Sequence, residues 1–118
     1  MDVFEQIALI KEDFIRNRGF LSAIGHETRQ DIITVLMGCC GGLRVGEIAA
    51  RTNLSRPAIS HHMRILLDCG LVTVDKQGTK NYYSLNIGHE FAAFTILVKH
   101  IAQFKNARES GELTGMPE

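Results

Sequence analysis

Residues 45–85 change their hydrophobic period in mid-course, and that change constrains the fold more than any other feature of the chain. Up to Asp68 the apolar side chains recur at three- and four-residue steps, the mark of a helix. Beyond Gly70 they alternate, the mark of a strand. Val45–Arg51 is a short helical run with Val45, Ile48 and Ala49 as its inner face, and Asn53-Leu54 is the turn after it. Ser55 then stands where an N-cap belongs, its hydroxyl free to accept a backbone N–H of the following turn. Pro57 falls in that first turn, where a missing N–H costs nothing. The helix runs to about Asp68, and Gly70 is its stop. Val72-Thr73-Val74-Asp75 and Asn81-Tyr82-Tyr83-Ser84-Leu85 flank Lys76-Gln77-Gly78-Thr79-Lys80, a β-hairpin with a polar, basic tip. Helix, tight turn, capped helix and hairpin in this order predict a winged helix-turn-helix, with the helix pair over residues 45–68 and the wing over 72–85.

The flanks are helical. Val3, Ile7, Ile10 and Phe14 make a narrow apolar seam along residues 3–16, suited to docking on a partner helix, and Gly19 interrupts it. Phe20–Ile24 runs into Gly25-His26. Glu27–Met37 is helical with Ile32, Ile33, Val35 and Leu36 inward, and Gly38 and Gly41-Gly42 stop it. Residues 88–107 form a long amphipathic helix with Phe91, Phe94, Val98 and Ile101 as its seam, widened by Leu97 and Phe104. Residues 109–118 read as a flexible polar tail. The fold class is mainly α with a small β-hairpin (α+β), and 118 residues suit one such domain.

Composition narrows the compartment and the partners. No apolar run approaches the ~18 residues that a membrane helix needs, so no membrane partner is expected. The start, MDVFEQIALIKEDF, carries acids inside its apolar stretch, unlike a secretory signal. Three cysteines, an odd number, read as reduced thiols, and the expected location is cytoplasmic. Thirteen basic and thirteen acidic residues cancel, which excludes a strongly basic coat. Residues 55–85, however, hold Arg56, Arg64, Lys76 and Lys80 against Asp68 and Asp75, a local surplus of two positive charges with two histidines besides. That stretch can face phosphate.

With Ile59 as the inward reference, Met63 and Leu66 share its face. Pro57, His61 and Arg64 then point outward, with Ala58 and Ser60 at the margins. Small residues permit close approach to a major groove, and Arg and His reach base edges or phosphates. The expected partner is double-stranded DNA. The expected contacts are Ser55, Arg56, Pro57, Ala58, Ser60, His61 and Arg64 on the helix, with Lys76, Thr79 and Lys80 on the wing. An alternative is a winged-helix module that docks on protein without direct DNA readout; Ile65 and the weak overall charge speak for it. No Gly-rich phosphate loop, nucleophile motif or paired acids suggest an enzyme, so none is expected.

The stretches Leu21-Ser-Ala-Ile-Gly-His-Glu-Thr-Arg-Gln-Asp-Ile-Ile, Val45-Gly-Glu-Ile-Ala, Leu54-Ser-Arg-Pro-Ala-Ile-Ser-His-His-Met-Arg-Ile-Leu, Cys69-Gly-Leu-Val and Tyr82-Tyr-Ser-Leu together resemble the ArsR family of winged-helix repressors over about residues 20–100. The resemblance implies a homodimeric transcription regulator, usually a repressor released from its operator by a metal ion or another chemical signal. Its dimer interface would be built from the first and last helices, residues 1–19 and 88–107. Ser60 and His62 match the family's Ser-x-His. His62 leans to the packed side as a structural residue, and His61 faces the DNA.

The family's sensing sites match only in part. A Cys-x-Cys thiol site would need cysteines where Arg44 and Gly46 stand, so it is absent. A last-helix Zn²⁺ site matches at His89 and His100, eleven residues apart, but its companion positions hold Ile87 and Gln103. Asn86 or Glu90 could substitute only with a changed geometry. Cys39 and Cys40 are the candidates for thiol sensing of arsenite or an oxidant, with Cys69 distant in sequence. Zn²⁺ or another metal ion, a thiol-reactive species and a small molecule all stand as inducer classes, with the metal ion the one candidate cofactor.

Overall fold

The computed structural model describes residues 1–111. Six helices and one hairpin follow in the order α1 (Val3–Arg16), α2 (Arg18–Ile24), α3 (Glu27–Met37), α4 (Val45–Thr52), α5 (Arg56–Asp68), β1 (Val72–Gln77), β2 (Lys80–Leu85) and α6 (His89–Glu109). The expected fold class is the observed one. Of the expected tail 109–118, residues 112–118 lie outside the described residues, and α6 runs to Glu109.

Contacts divide the chain into two compact units. Of the described residues, one comprises 1–18 together with 91–111; the other is 19–90.

In the first unit α1 and α6 run antiparallel, for Asn17 Nδ2 donates to the Ala93 carbonyl at 3.2 Å while Asp13 meets His100 at 2.5 Å. Within the single chain, burial divides the expected seams. Val3, Asp13 and Asn17 are the buried residues of this stretch of α1, and Leu97 is the buried residue of α6. Ile7, Phe14, Val98 and Ile101 are instead 40–48% exposed. Both helices carry apolar side chains on two faces. The inward choice falls on the heptad positions Val3, Ile10 and Asn17 of α1 and on Ala93, Leu97, His100 and Phe104 of α6, each of them buried or half-buried. Phe4 and Ile15 extend the open apolar surface of α1.

The break after α1 also differs from expectation. It falls at Asn17, and Gly19 lies inside α2. Asn17 accounts for this, because its side-chain amide donates to the Asp13 carbonyl at 2.8 Å and so competes with helix continuation.

The second unit packs α2–α5 and the hairpin around Ala23, Ile32, Leu36, Ile48, Ile59, Met63, Leu66 and Leu71, all nearly inaccessible. The Ile, Leu and Met side chains among them each contribute roughly 1.5–3 kcal/mol by leaving water. The wing strands are longer than the alternation suggested. Val72 pairs with Leu85 and Gln77 with Lys80, so the tip narrows to Gly78-Thr79. Gly78, at φ +64°, supplies the left-handed residue that a two-residue hairpin turn requires. A third segment joins at the base: Leu43 and Tyr83 exchange backbone hydrogen bonds of 2.9 and 2.8 Å.

Candidate nucleic-acid interface

The presentation of α5 begins with its cap. Asn53, at φ 56°, turns the chain, and the Ser55 hydroxyl accepts the Ala58 N–H at 3.3 Å, with Pro57 in the first turn. Ile59, Met63 and Leu66 are buried beneath the helix. Geometry then leaves Ser55, Arg56, Pro57, Ser60, His61 and Arg64 exposed, with Ala58 half-buried at the margin. Lys76, Thr79 and Lys80 are likewise exposed, Thr79 at the tip and the two lysines in the strands beside it. A groove of about 400 Å³ lies between α5 and the wing, bordered by Ser60, Arg64, Asp68 and Tyr83. Ile65, the residue that spoke for an apolar docking face, is half-buried.

Arg29 is a feature of the site that the sequence reading did not single out. It is 8% exposed and donates from Nε to the Ala23 carbonyl at 2.7 Å and from Nη2 to the Ser22 carbonyl at 3.1 Å. Its Nη1 stands 3.5 Å from His62 Nδ1, joining the end of α2 to the middle of α5. The signal was present: Arg29 precedes Ile32, Ile33 and Leu36 at steps of three, four and seven, squarely on the buried stripe of α3. His62 therefore sits in a packed position, half-buried, with its ring 5.0 Å from that of His26 and 5.4 Å from that of His61. Burial, reinforced by the neighbouring His26, Arg29 and His61, holds its imidazole below the usual histidine range.

The sensing candidates lie apart. Cys40 is exposed and Cys39 half-buried after α3, while Cys69 caps the far end of α5. Burial pushes the Cys69 thiol up, keeping it in the less reactive protonated form. His89 begins α6, and His100 lies eleven residues along the same helix, about 16 Å at the usual rise. His100 is engaged by Asp13. Among the described residues no group of three His, Cys, Asp or Glu side chains could hold a metal ion.

A capped helix with a polar, cation-bearing outer face beside a basic wing defines a winged helix-turn-helix of the DNA-binding class. The comparisons agree. The family described as "Bacterial regulatory protein, arsR family" matches residues 26–74. Transcriptional repressor SdpR of Bacillus subtilis (strain 168) is 41% identical over 64 residues, which cover 54% of this chain and 69% of that protein. An arsenical resistance operon repressor of Staphylococcus xylosus is 38% identical over 71 residues, 60% of this chain and 64% of that one. The chain thus spans about two thirds of the length of these curated relatives. Among solved structures, an ArsR-like transcriptional regulator from Rhodococcus sp. RHA1 superposes with a TM-score of 0.75 at 26% identity, over 83% of this chain and 87% of that one. The chain belongs to the arsR family of bacterial regulatory proteins and is a DNA-binding transcription regulator.

Proposed function

We propose that the protein is a homodimeric, cytoplasmic repressor that leaves its operator when an effector binds. Each protomer sets α5 into a major groove of a pseudo-palindromic site, with half-site centres roughly one helical turn apart. Arg64 and the wing residues Lys76, Thr79 and Lys80 meet phosphate, and His61 reads a base edge. Ser55, Arg56, Pro57, Ala58 and Ser60 form the closely approaching surface around them. The observation that carries this reading is the exposed, small and cationic N-terminal half of α5 above the buried apolar residues Ile59, Met63 and Leu66. The open apolar side chains of the end helices, Phe4, Ile7, Phe14, Ile15, Val98 and Ile101, support a second copy as the partner that covers them.

The repressing direction follows the names of the SdpR and Staphylococcus relatives. Arsenite, a metal ion, an oxidant and a small organic molecule are the inducer classes. Coupling between effector and DNA is typically ~1–3 kcal/mol in either direction. Selection of bound duplexes from random DNA, followed by anisotropy titrations with each effector, tests the reading. An inverted repeat bound by two chains and released by one effector is the expected result. Equal affinity for selected and random duplexes would refute it.

A further inference from the structure

We propose that the groove between the start of α4, the start of α5 and the wing is a seat for one phosphate group of the DNA backbone, held by Arg44, Arg56 and Lys80. The inference rests on the DNA-binding reading above and adds Arg44 and Gly46, which that reading leaves without a role.

The groove has a volume of about 390 Å³, and these three cations line it against a single acid, Glu47. Glu47 is already engaged, its Oε1 accepting the Arg44 backbone N–H at 3.1 Å. Among the described residues none of the three cations forms an ion pair. Uncompensated positive charge in a concave surface favours an anion, and guanidinium groups match phosphate oxygens in paired geometry.

Two local devices shape the seat. The Arg56 guanidinium lies directly over Gly46: a Cβ there would stand 2.8 Å from Nη2 and 3.2 Å from Cζ. Any side chain at position 46 would therefore push the guanidinium aside, while the flexible arginine would give way without disturbing the backbone. The second device is the Leu43–Tyr83 pairing, which fixes the wing against the residue just before Arg44. Lys80, three residues from Tyr83 on the same strand, is held to the groove by it. The occupant is a backbone phosphate because the rim is continuous with the exposed face of α5 through Arg56.

The test uses the full chain and a selected operator duplex, with affinity followed between about 50 and 200 mM salt. Arg44→Gln should lower the slope of log K against log salt by about 0.9 per bound protomer. Gly46→Ala should weaken binding while keeping the wild-type melting temperature, and it should add nothing to Arg56→Ala. A methylphosphonate at one position per half-site should weaken the wild type more than it weakens Arg44→Gln, which keeps only Arg56 and Lys80 on that phosphate. If the wild type binds its operator and Arg44→Gln keeps the full salt slope, the seat is refuted and the DNA-binding reading stands. If the wild type prefers no duplex, both fall. Displacement of bound operator by millimolar inorganic phosphate at constant ionic strength would assign the groove to a free phosphate ligand and overturn the backbone assignment.

Discussion

Removing the Asp13 carboxylate should unfold the end-helix pair long before it affects the helix-turn-helix. The side chain is 3% exposed and faces His100, 21% exposed, at 2.5 Å. Breaking a fully buried pair from one side costs about 3–5 kcal/mol, because the remaining partner stays desolvated. The partial opening of His100 places Asp13→Ala near the lower end, about 3 kcal/mol. Arg16, 60% exposed and 3.6 Å from the other carboxylate oxygen, adds little. At roughly 4 °C per kcal/mol for a chain of this size, the melting temperature should fall by about 12 °C. Melts followed by circular dichroism must hold protein concentration fixed, since the midpoint of any self-associating chain depends on it. The double variant Asp13→Leu/His100→Leu should recover most of the loss, as apolar replacement of both partners leaves no orphaned polar group. A midpoint for Asp13→Ala within about 2 °C of wild type would refute the argument that this pair holds α1 to α6.

His62 gives a pH signature. Its native imidazole titrates below the usual histidine value of about 6.5 because burial and its positive neighbours disfavour charge. Its contribution to stability is thus intact above ~6.5 and is lost as pH falls from there toward the native value, where the unfolded chain binds more protons. Urea melts should show this limb flattened in His62→Gln; an unchanged limb would contradict the assignment. Ser55→Ala should cost about 1 kcal/mol through the lost cap, read as a lower denaturant midpoint with an unchanged slope. Ile101→Glu should sediment as monomer and lose the operator, because charge would enter the open apolar face of α6; a stable dimer would remove that face from the interface. Cys39→Ser/Cys40→Ser should keep operator affinity, since both thiols precede α4 and lie off α5 and the wing; lost affinity would refute that separation.

What could be read from the sequence was local. The Ser55 cap, the Pro57 position, the Gly70 stop and the change of period each depend on a few neighbouring residues, and each has its structural counterpart. What escaped depends on distant partners. Polar Asp13 and Asn17 occupy the inward face of α1 only because His100 and the Ala93 carbonyl await them. No single-helix period reveals that. With apolar residues on two faces of α1 and α6, periodicity alone cannot say which face the chain covers by itself. The Leu43–Tyr83 pairing is one residue pair forty positions apart and leaves no pattern. His100 fits a metal-ligand spacing yet already has a partner, so a His89→Ala/His100→Ala variant would lose stability whatever the metal does. His89→Ala is the cleaner probe of metal response.

The wing has its anchor at one end and its freedom at the other. Leu43 secures Tyr83 near the base, whereas nothing stands within 4 Å of a side chain added at Gly78. Insertions are best tolerated at such open tips. One residue added to each strand would extend the hairpin by about 3.4 Å but turn its end over, presenting the opposite face. Two added to each strand would extend it by about 7 Å and restore the original orientation. In the proposed binding mode, lengthening in four-residue steps would carry the tip further along DNA and leave the presentation of α5 as it is.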